Sequence, residues 1–261
     1  CLFNKINPNG VNRRTIKKLF RNKDIIKNMN KTKLTIIIPA YNEINTIQNL
    51  IDRIYQIKID KQIILVDDCS TDGTNEVVFK NKDKINKIII HEENKGKGAA
   101  IKSAQSYVEG EYVIIQDADL EYDPNDIINL LNEIENKKCR VVYGSRVLRN
   151  PENKKSQNFS HNIRIIGNIF LTKLSNYLNN QKLTDAHTCY KLFESELFKS
   201  IPLQEDGFSF CPEITTKISL LNINILEIPI NYHGRSYEQG KKIVAKDGLE
   251  AIWALIKYRY F

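Results

Sequence analysis

Paired cysteines, long apolar runs and phosphate-loop signatures are all missing from this chain. Its five cysteines, Cys1, Cys69, Cys139, Cys189 and Cys211, include no C-x-x-C spacing. That argues against a zinc site or a disulfide framework, and reduced thiols in a cytosolic compartment are expected. No run approaches the ~18 apolar residues of a membrane-spanning helix. The first residues lack the apolar core of a signal peptide, so no secretory leader is expected in them. The chain opens on Cys1 rather than Met, as a fragment of a longer polypeptide would. There is no G-x-x-x-x-G-K-[ST] loop, no internal repeat and no low-complexity linker. What is present, 41% hydrophobic and 27% charged residues over 261 positions, suits one soluble globular domain with a full core.

The net charge of +8 is concentrated at one end. Residues 1–33 hold ten Lys/Arg against one acid, Asp24, so the remainder carries −1. Such an arm can meet anionic headgroups or nucleic acid, or remain a solvated tail. Because the charge belongs to the arm, it says little about the catalytic surface, and no nucleic-acid partner is expected.

From Leu34 the pattern alternates between buried strands and helices. Leu34–Pro39, Gln62–Val66, Ile88–Ile90, Tyr112–Gln116 and Val141–Tyr143 read as short strands. Helices are expected over 45–57, from Thr71 to Phe79, over Gly98–Val108, and from Asp123-Pro124 to Glu135. This order implies an α/β fold with a mostly parallel sheet and helices on both faces. The second half reads as mixed, with helices over Arg164–Asn180, Glu194–Ile201, Glu213–Leu221 and Asp247–Tyr260 and a strand over Ile223–Ile228.

Polar clusters sit where the strands end, the place where open α/β sheets bind ligands. The first strand runs into Pro39-Ala40-Tyr41-Asn42-Glu43, an aromatic face and a carboxylate. The second runs into Val66-Asp67-Asp68-Cys69-Ser70-Thr71-Asp72-Gly73-Thr74, whose paired acids can accept from a sugar hydroxyl or a base N–H. Glu93-Asn94-Lys95-Gly96-Lys97-Gly98 follows the third strand. Its glycines let backbone approach a ligand, and Lys97 can reach phosphate. Ile101 stands where a dinucleotide fingerprint needs a small residue. The fourth strand ends in Asp117-Ala118-Asp119. Two carboxylates one residue apart can share a hard cation that also holds a diphosphate, although an Asp pair can equally cap a turn.

These four motifs, in this order and spacing, resemble family 2 glycosyltransferases over roughly residues 34–243. The match is closest to the dolichol-phosphate mannosyltransferase-like, polyprenyl-phosphate branch. The resemblance implies a GT-A fold with a mixed C-terminal acceptor half, and an inverting mechanism. It implies a GDP- or UDP-sugar donor and Mg²⁺ or Mn²⁺. By it, Pro39, Tyr41, Glu43, Val66, Asp68, Lys97, Asp117, Ala118 and Arg146 hold the nucleotide sugar. Asp117, Asp119 and Glu121 hold the metal. Arg146, Arg164, Arg235 and Lys241 bind acceptor phosphate, with Asp119, Arg235 and Lys241 serving the reaction itself. Arginine grips phosphate oxygens bidentately and lysine adds a point charge.

Two segments depart from that branch. Glu121 replaces a Gln, and Asp185-Ala186-His187-Thr188-Cys189-Tyr190-Lys191 replaces a Ser-Gly-Phe segment. No second His or Cys gives His187 a metal-ligand spacing, so packing or orienting is the expected role. There is no Q-x-x-R-W motif of processive relatives, which fits one transfer of mannose or glucose. A phosphate acceptor needs no general base; a glycan hydroxyl would need a carboxylate such as Asp185 or Glu213 to take its proton. A nucleotidyltransferase would show a Gly-rich loop after the first strand, and none is there. Finally, Leu249, Ile252, Trp253, Ile256 and Tyr260 line one side of the terminal stretch 244–261, beside Lys257 and Arg259. That stripe suits either an interfacial helix, giving peripheral attachment to the cytoplasmic membrane face, or a helix packed on its own core.

Overall fold

The computed structural model describes residues 32–149, 159–235 and 245–261. The basic stretch 1–31 and Lys241 lie outside them. Lys33, counted with the arm, belongs to the folded body, where it pairs with Glu111 at 3.1 Å and with Glu135.

Among the described residues seven strands form one sheet: β1 (Leu34–Ala40), β2 (Lys61–Asp67), β3 (Lys87–Ile90), β4 (Tyr112–Ile115), β5 (Val141–Ser145), β6 (Lys191–Glu194) and β7 (Leu226–Pro229). Their spatial order is β3-β2-β1-β4-β6-β5-β7. The β1–β2, β1–β4, β2–β3 and β5–β7 pairs are parallel. β6 runs antiparallel between β4 and β5. The sequence pattern did not reveal β6, because its four residues begin and end on charges. The leading charge, Lys191, is fully buried. Its ammonium donates to the Ala186 carbonyl at 2.9 Å and lies 3.8 Å from the Tyr143 ring centroid, which offsets its desolvation.

Eight helices are described: α1 (Ile47–Gln56), α2 (Thr74–Lys80), α3 (Lys97–Gln105), α4 (Asp126–Lys137), α5 (Phe159–Asn179), α6 (Ser195–Ser200), α7 (Phe210–Leu220) and α8 (Ala245–Tyr260). Strand alternation divides the core in two. Leu34, Ile36 and Ile38 of β1 pack with α1 and α4, while Ile37 packs with α3 and α7 on the other face. From β1 the chain first builds outward through β2 and β3, then returns to lay β4 on the opposite side of β1. The crevice at this reversal lies at the carboxyl ends of β1 and β4.

The helix α8 buries Ala251, Ala254 and Leu255 and leaves Leu249 (71%), Trp253 (60%) and Tyr260 (66%) exposed. Of the five residues in the apolar stripe read from the sequence, these three therefore face outward, while Ile252 and Ile256 are half-buried. Among the described residues no helix is long and apolar enough to cross a membrane.

Candidate active site at the strand ends

The second motif fastens the first. Asn42 sits in the left-handed region (φ 51°), so the chain turns sharply after β1. Its N–H donates to Ser70 Oγ at 2.9 Å, and its side-chain oxygen accepts from Thr71 N–H at 2.8 Å. The Glu43 N–H donates to Thr74 Oγ1 at 2.9 Å, and the Ile44 N–H to Asp72 at 3.0 Å. Ser70, Thr71, Asp72 and Thr74 thus hold the Tyr41–Glu43 turn in place. Pro39 and Tyr41 are half-buried at its edge, while Val66 and Ala118 are enclosed beneath.

Asp68 is bound from three directions. Oδ1 accepts from His91 Nδ1 at 2.6 Å and from the Lys95 amide at 2.9 Å; Oδ2 accepts from the Gly96 amide at 2.7 Å. Gly96 has φ 96°, and a Cβ there would meet the Asp206 carbonyl oxygen at 2.5 Å. At Gly98 a Cβ would meet the Glu205 carbonyl oxygen at 2.2 Å. The glycines were expected to admit a ligand to the backbone; they instead admit the 205–206 backbone, whose Asp206 carbonyl caps the Ala99 N–H at 3.0 Å.

Three carboxylates crowd the tip of β4, each met by a cation or a donor. Asp117 pairs with Lys97, whose ammonium also lies 2.9 Å from Cys189 Sγ. Arg235 clasps Glu43 with both nitrogens of its fork, at 2.9 and 3.0 Å, and reaches Asp119 at 3.3 Å. Glu121 accepts from the Arg235 amide at 2.7 Å and from the Tyr232 hydroxyl at 2.6 Å. Burial, and then the charges of Asp117 and Glu121, push the Asp119 carboxyl up to about 7 against the pull of Arg235.

A divalent cation would relieve that crowding, so the donor set fits one. Among the described residues no three His, Cys, Asp or Glu side chains converge as a ligand set. The fit is therefore to two carboxylates, Asp117 and Asp119, completed by phosphate oxygens. Glu121, expected as a third ligand, here fastens the Tyr232–Arg235 strap.

On the acceptor side, Arg146 is locked. Its Nε and Nη2 donate to the two oxygens of Asp185 at 2.6 and 2.7 Å, and its guanidinium lies 5.1 Å over the Tyr232 ring. Burial opposes ionisation of Asp185, yet Arg146 holds its carboxyl down to about 2. Glu213 is fully buried and takes the Gln204 and Glu205 amides at 2.7 and 2.9 Å and Lys217 at 2.6 Å. His187 Nε2 is shut off from solvent with no hydrogen-bond partner among the described residues. Burial, and then the charge of Lys191, lower its pKa to about 4, so the imidazole is neutral. Arg164 falls near the start of α5 with its side chain undescribed.

Three partners escaped sequence reasoning. His91 carries one available signal, its place at the end of β3. Cys189 and Tyr232 carry none, since each meets its partner across a long stretch of chain.

The family model described as Glycosyl transferase family 2 matches residues 35–201. A low-salt glycan biosynthesis hexosyltransferase of Haloferax volcanii is 30% identical over 208 residues, spanning 78% of this chain and 49% of that protein. A dolichyl-phosphate β-glucosyltransferase of Dictyostelium discoideum is 29% identical, over 82% of this chain and 69% of its own length. Glucosyl-3-phosphoglycerate synthase of Mycobacterium tuberculosis, solved with Mg²⁺ and UDP, superposes with a TM-score of 0.65. It is 17% identical and covers 91% of this chain and 83% of its own; that likeness concerns the GT-A fold.

Proposed function

This chain belongs to glycosyl transferase family 2, and from that premise we propose that it moves one hexosyl unit, mannose or glucose, from a nucleotide-diphosphate sugar to a polyprenyl phosphate with inversion at the anomeric carbon. The observation that carries the acceptor class is the state of Asp185 and Glu213. A sugar-hydroxyl acceptor would need a carboxylate base, for which these two are the acceptor-side candidates. Asp185 is committed to Arg146 and held at about 2, far below what a base at neutral pH requires. Glu213 is walled in by two backbone amides and Lys217. A phosphate monoester arrives already anionic, its second pKa being about 6, and needs neither.

In this reading each residue keeps the role that the family resemblance implies. The turn Tyr41–Glu43 and Asp68 hold the nucleoside. Mg²⁺ or Mn²⁺ on Asp117 and Asp119 would supply Lewis-acid stabilisation of the charge growing on the leaving diphosphate. Lys97 and Arg235, each resting on a carboxylate of the tip, have N–H donors to turn toward phosphate oxygens. Arg146 keeps Nη1 free of Asp185 for the acceptor phosphate, and Lys241 and Arg164 are assigned to the same anion. The outward stripe of α8 supports peripheral attachment at the membrane that carries a lipid acceptor.

A panel of radiolabelled GDP- and UDP-sugars offered with polyprenyl phosphate and Mn²⁺ tests this reading. Label is expected in a butanol-extractable phosphodiester. Label confined to soluble glycan would replace the acceptor class.

A further inference from the structure

Asp68 is expected to hold the nucleoside, but its hydrogen bonds constrain which nucleoside far more tightly than its identity does. An ionised carboxylate has about four acceptor positions. His91 Nδ1 and the Lys95 amide take both on Oδ1, and the Gly96 amide takes one on Oδ2. The side chain is nearly enclosed, with 4% of its surface exposed, so no rearrangement of the carboxylate is open to it. One acceptor position, on Oδ2, is left.

His91 fixes this arrangement. Its Nε2 lies 2.9 Å from Ser103 Oγ. Nδ1–H is donated to the carboxylate, and Nε2 shares its hydrogen bond with the Ser103 hydroxyl, which can serve as donor or acceptor. The imidazole is thus pinned at both nitrogens between α3 and Asp68.

The nucleobases of the two donor classes differ in what they present to a carboxylate. Uracil has one ring donor, N3–H. Guanine presents N1–H and the N2 amino group side by side, and a carboxylate satisfies that pair by giving each donor its own oxygen. With Oδ1 saturated, one of guanine's two donors would be left buried without a partner, which recognition sites penalise heavily.

We infer that His91 is a positioning residue which, with the Lys95 and Gly96 amides, leaves Asp68 a single acceptor and so selects uridine over guanosine diphosphate donors. This rests on the transferase reading and deepens it by naming the donor base.

Calorimetric titration of UDP and GDP with Mn²⁺ into the full chain is the test. UDP is expected to bind at least tenfold more tightly. GDP binding equally or better would overturn the inference while leaving the transferase reading standing. Failure of both nucleotides to bind would overturn the two together. Two variants separate positioning from mere support of the fold. His91→Asn keeps an N–H near the place of Nδ1 and should retain the preference. His91→Gln moves its amide toward the place of Nε2, frees a position on Oδ1, and should narrow the UDP:GDP ratio at least threefold. Parallel losses for both nucleotides in His91→Gln, with the ratio unchanged, would show His91 to be structural only and refute the positioning role.

Discussion

The donor and acceptor halves use the same ionic residues in opposite ways. At the tip of β4 three carboxylates are crowded together, with Asp119 driven up to about 7. Their partners, Lys97 and Arg235, sit on long side chains that can move to another anion. On the acceptor side Asp185 is held down to about 2 by a two-pronged arginine and is further tied to Asn168 at 3.3 Å. The first arrangement concentrates unfavourable charge, which under the proposed function a cation and a diphosphate would relieve. The second uses charge to fix the shape of a wall. Substitution of a carboxylate in the donor half should therefore cost turnover and spare the fold, whereas breaking the Arg146–Asp185 pair should cost the fold itself.

The strongest way to break that contrast is Asp119→Asn. Loss of several kcal/mol of transition-state stabilisation corresponds to roughly 10³-fold or more in kcat. The same change should raise stability at pH 8. The folded-state pKa lies above the unfolded value, so ionising Asp119 there works against folding, and removing the charge is worth roughly 1–3 kcal/mol. Urea unfolding and a transfer assay on one preparation measure both. A variant that loses stability along with turnover would erase the distinction.

Arg146→Ala is the counterpart. It strands a fully buried carboxylate, and breaking such a pair costs about 3–5 kcal/mol. Unfolding should shift strongly to lower urea, and Arg146→Ala/Asp185→Ala should recover part of the loss. No recovery would mean that the pair does not act as a unit.

His187 gives the acceptor wall a pH signature. Above pH 6.5 the imidazole is neutral in both states. As pH falls, the unfolded chain takes the proton first, because the folded value is about 4. Stability is then lost from pH 6.5 down to about 4, by about 3 kcal/mol in total. The difference in unfolding free energy between the native chain and His187→Phe should vary with pH across that window and level off above it. A difference constant with pH would show the imidazole to be solvated.

The donor half was far more legible in the sequence than the acceptor half, for a physical reason. In β1, β2 and β4 the buried runs are local, and each ends directly in its polar cluster, so spacing alone placed Tyr41, Glu43, Asp68, Asp117 and Asp119 at one sheet edge. On the other side, β6 joins β4 and β5 against the chain direction and opens on a buried lysine, contrary to every pattern that marks a strand. The Glu43–Arg235 clasp joins residues 192 positions apart. No local periodicity records such a contact, and the motif resemblance supplied Arg235 without its partner. The glycines at 96 and 98 show the converse error: the residue type was read correctly as permitting close approach, but the approaching group is the protein's own backbone.

The smallest expected effect lies outside both halves, on α8. Trp253 is 60% exposed, and Leu249 and Tyr260 lie on the same outward side. An exposed side chain away from packing and charge networks contributes little to folding, so Trp253→Ser should change stability by no more than ~0.5 kcal/mol. Turnover on a short, water-soluble acceptor should be unchanged, since neither half of the site is touched. What should fall is recovery with anionic vesicles in flotation, because an amphipathic tryptophan beside Lys257 and Arg259 contributes through burial at the headgroup level. If flotation is unaffected while Leu249→Ser and Tyr260→Ser are equally silent, α8 is a surface helix and the lipid acceptor must be reached by another route.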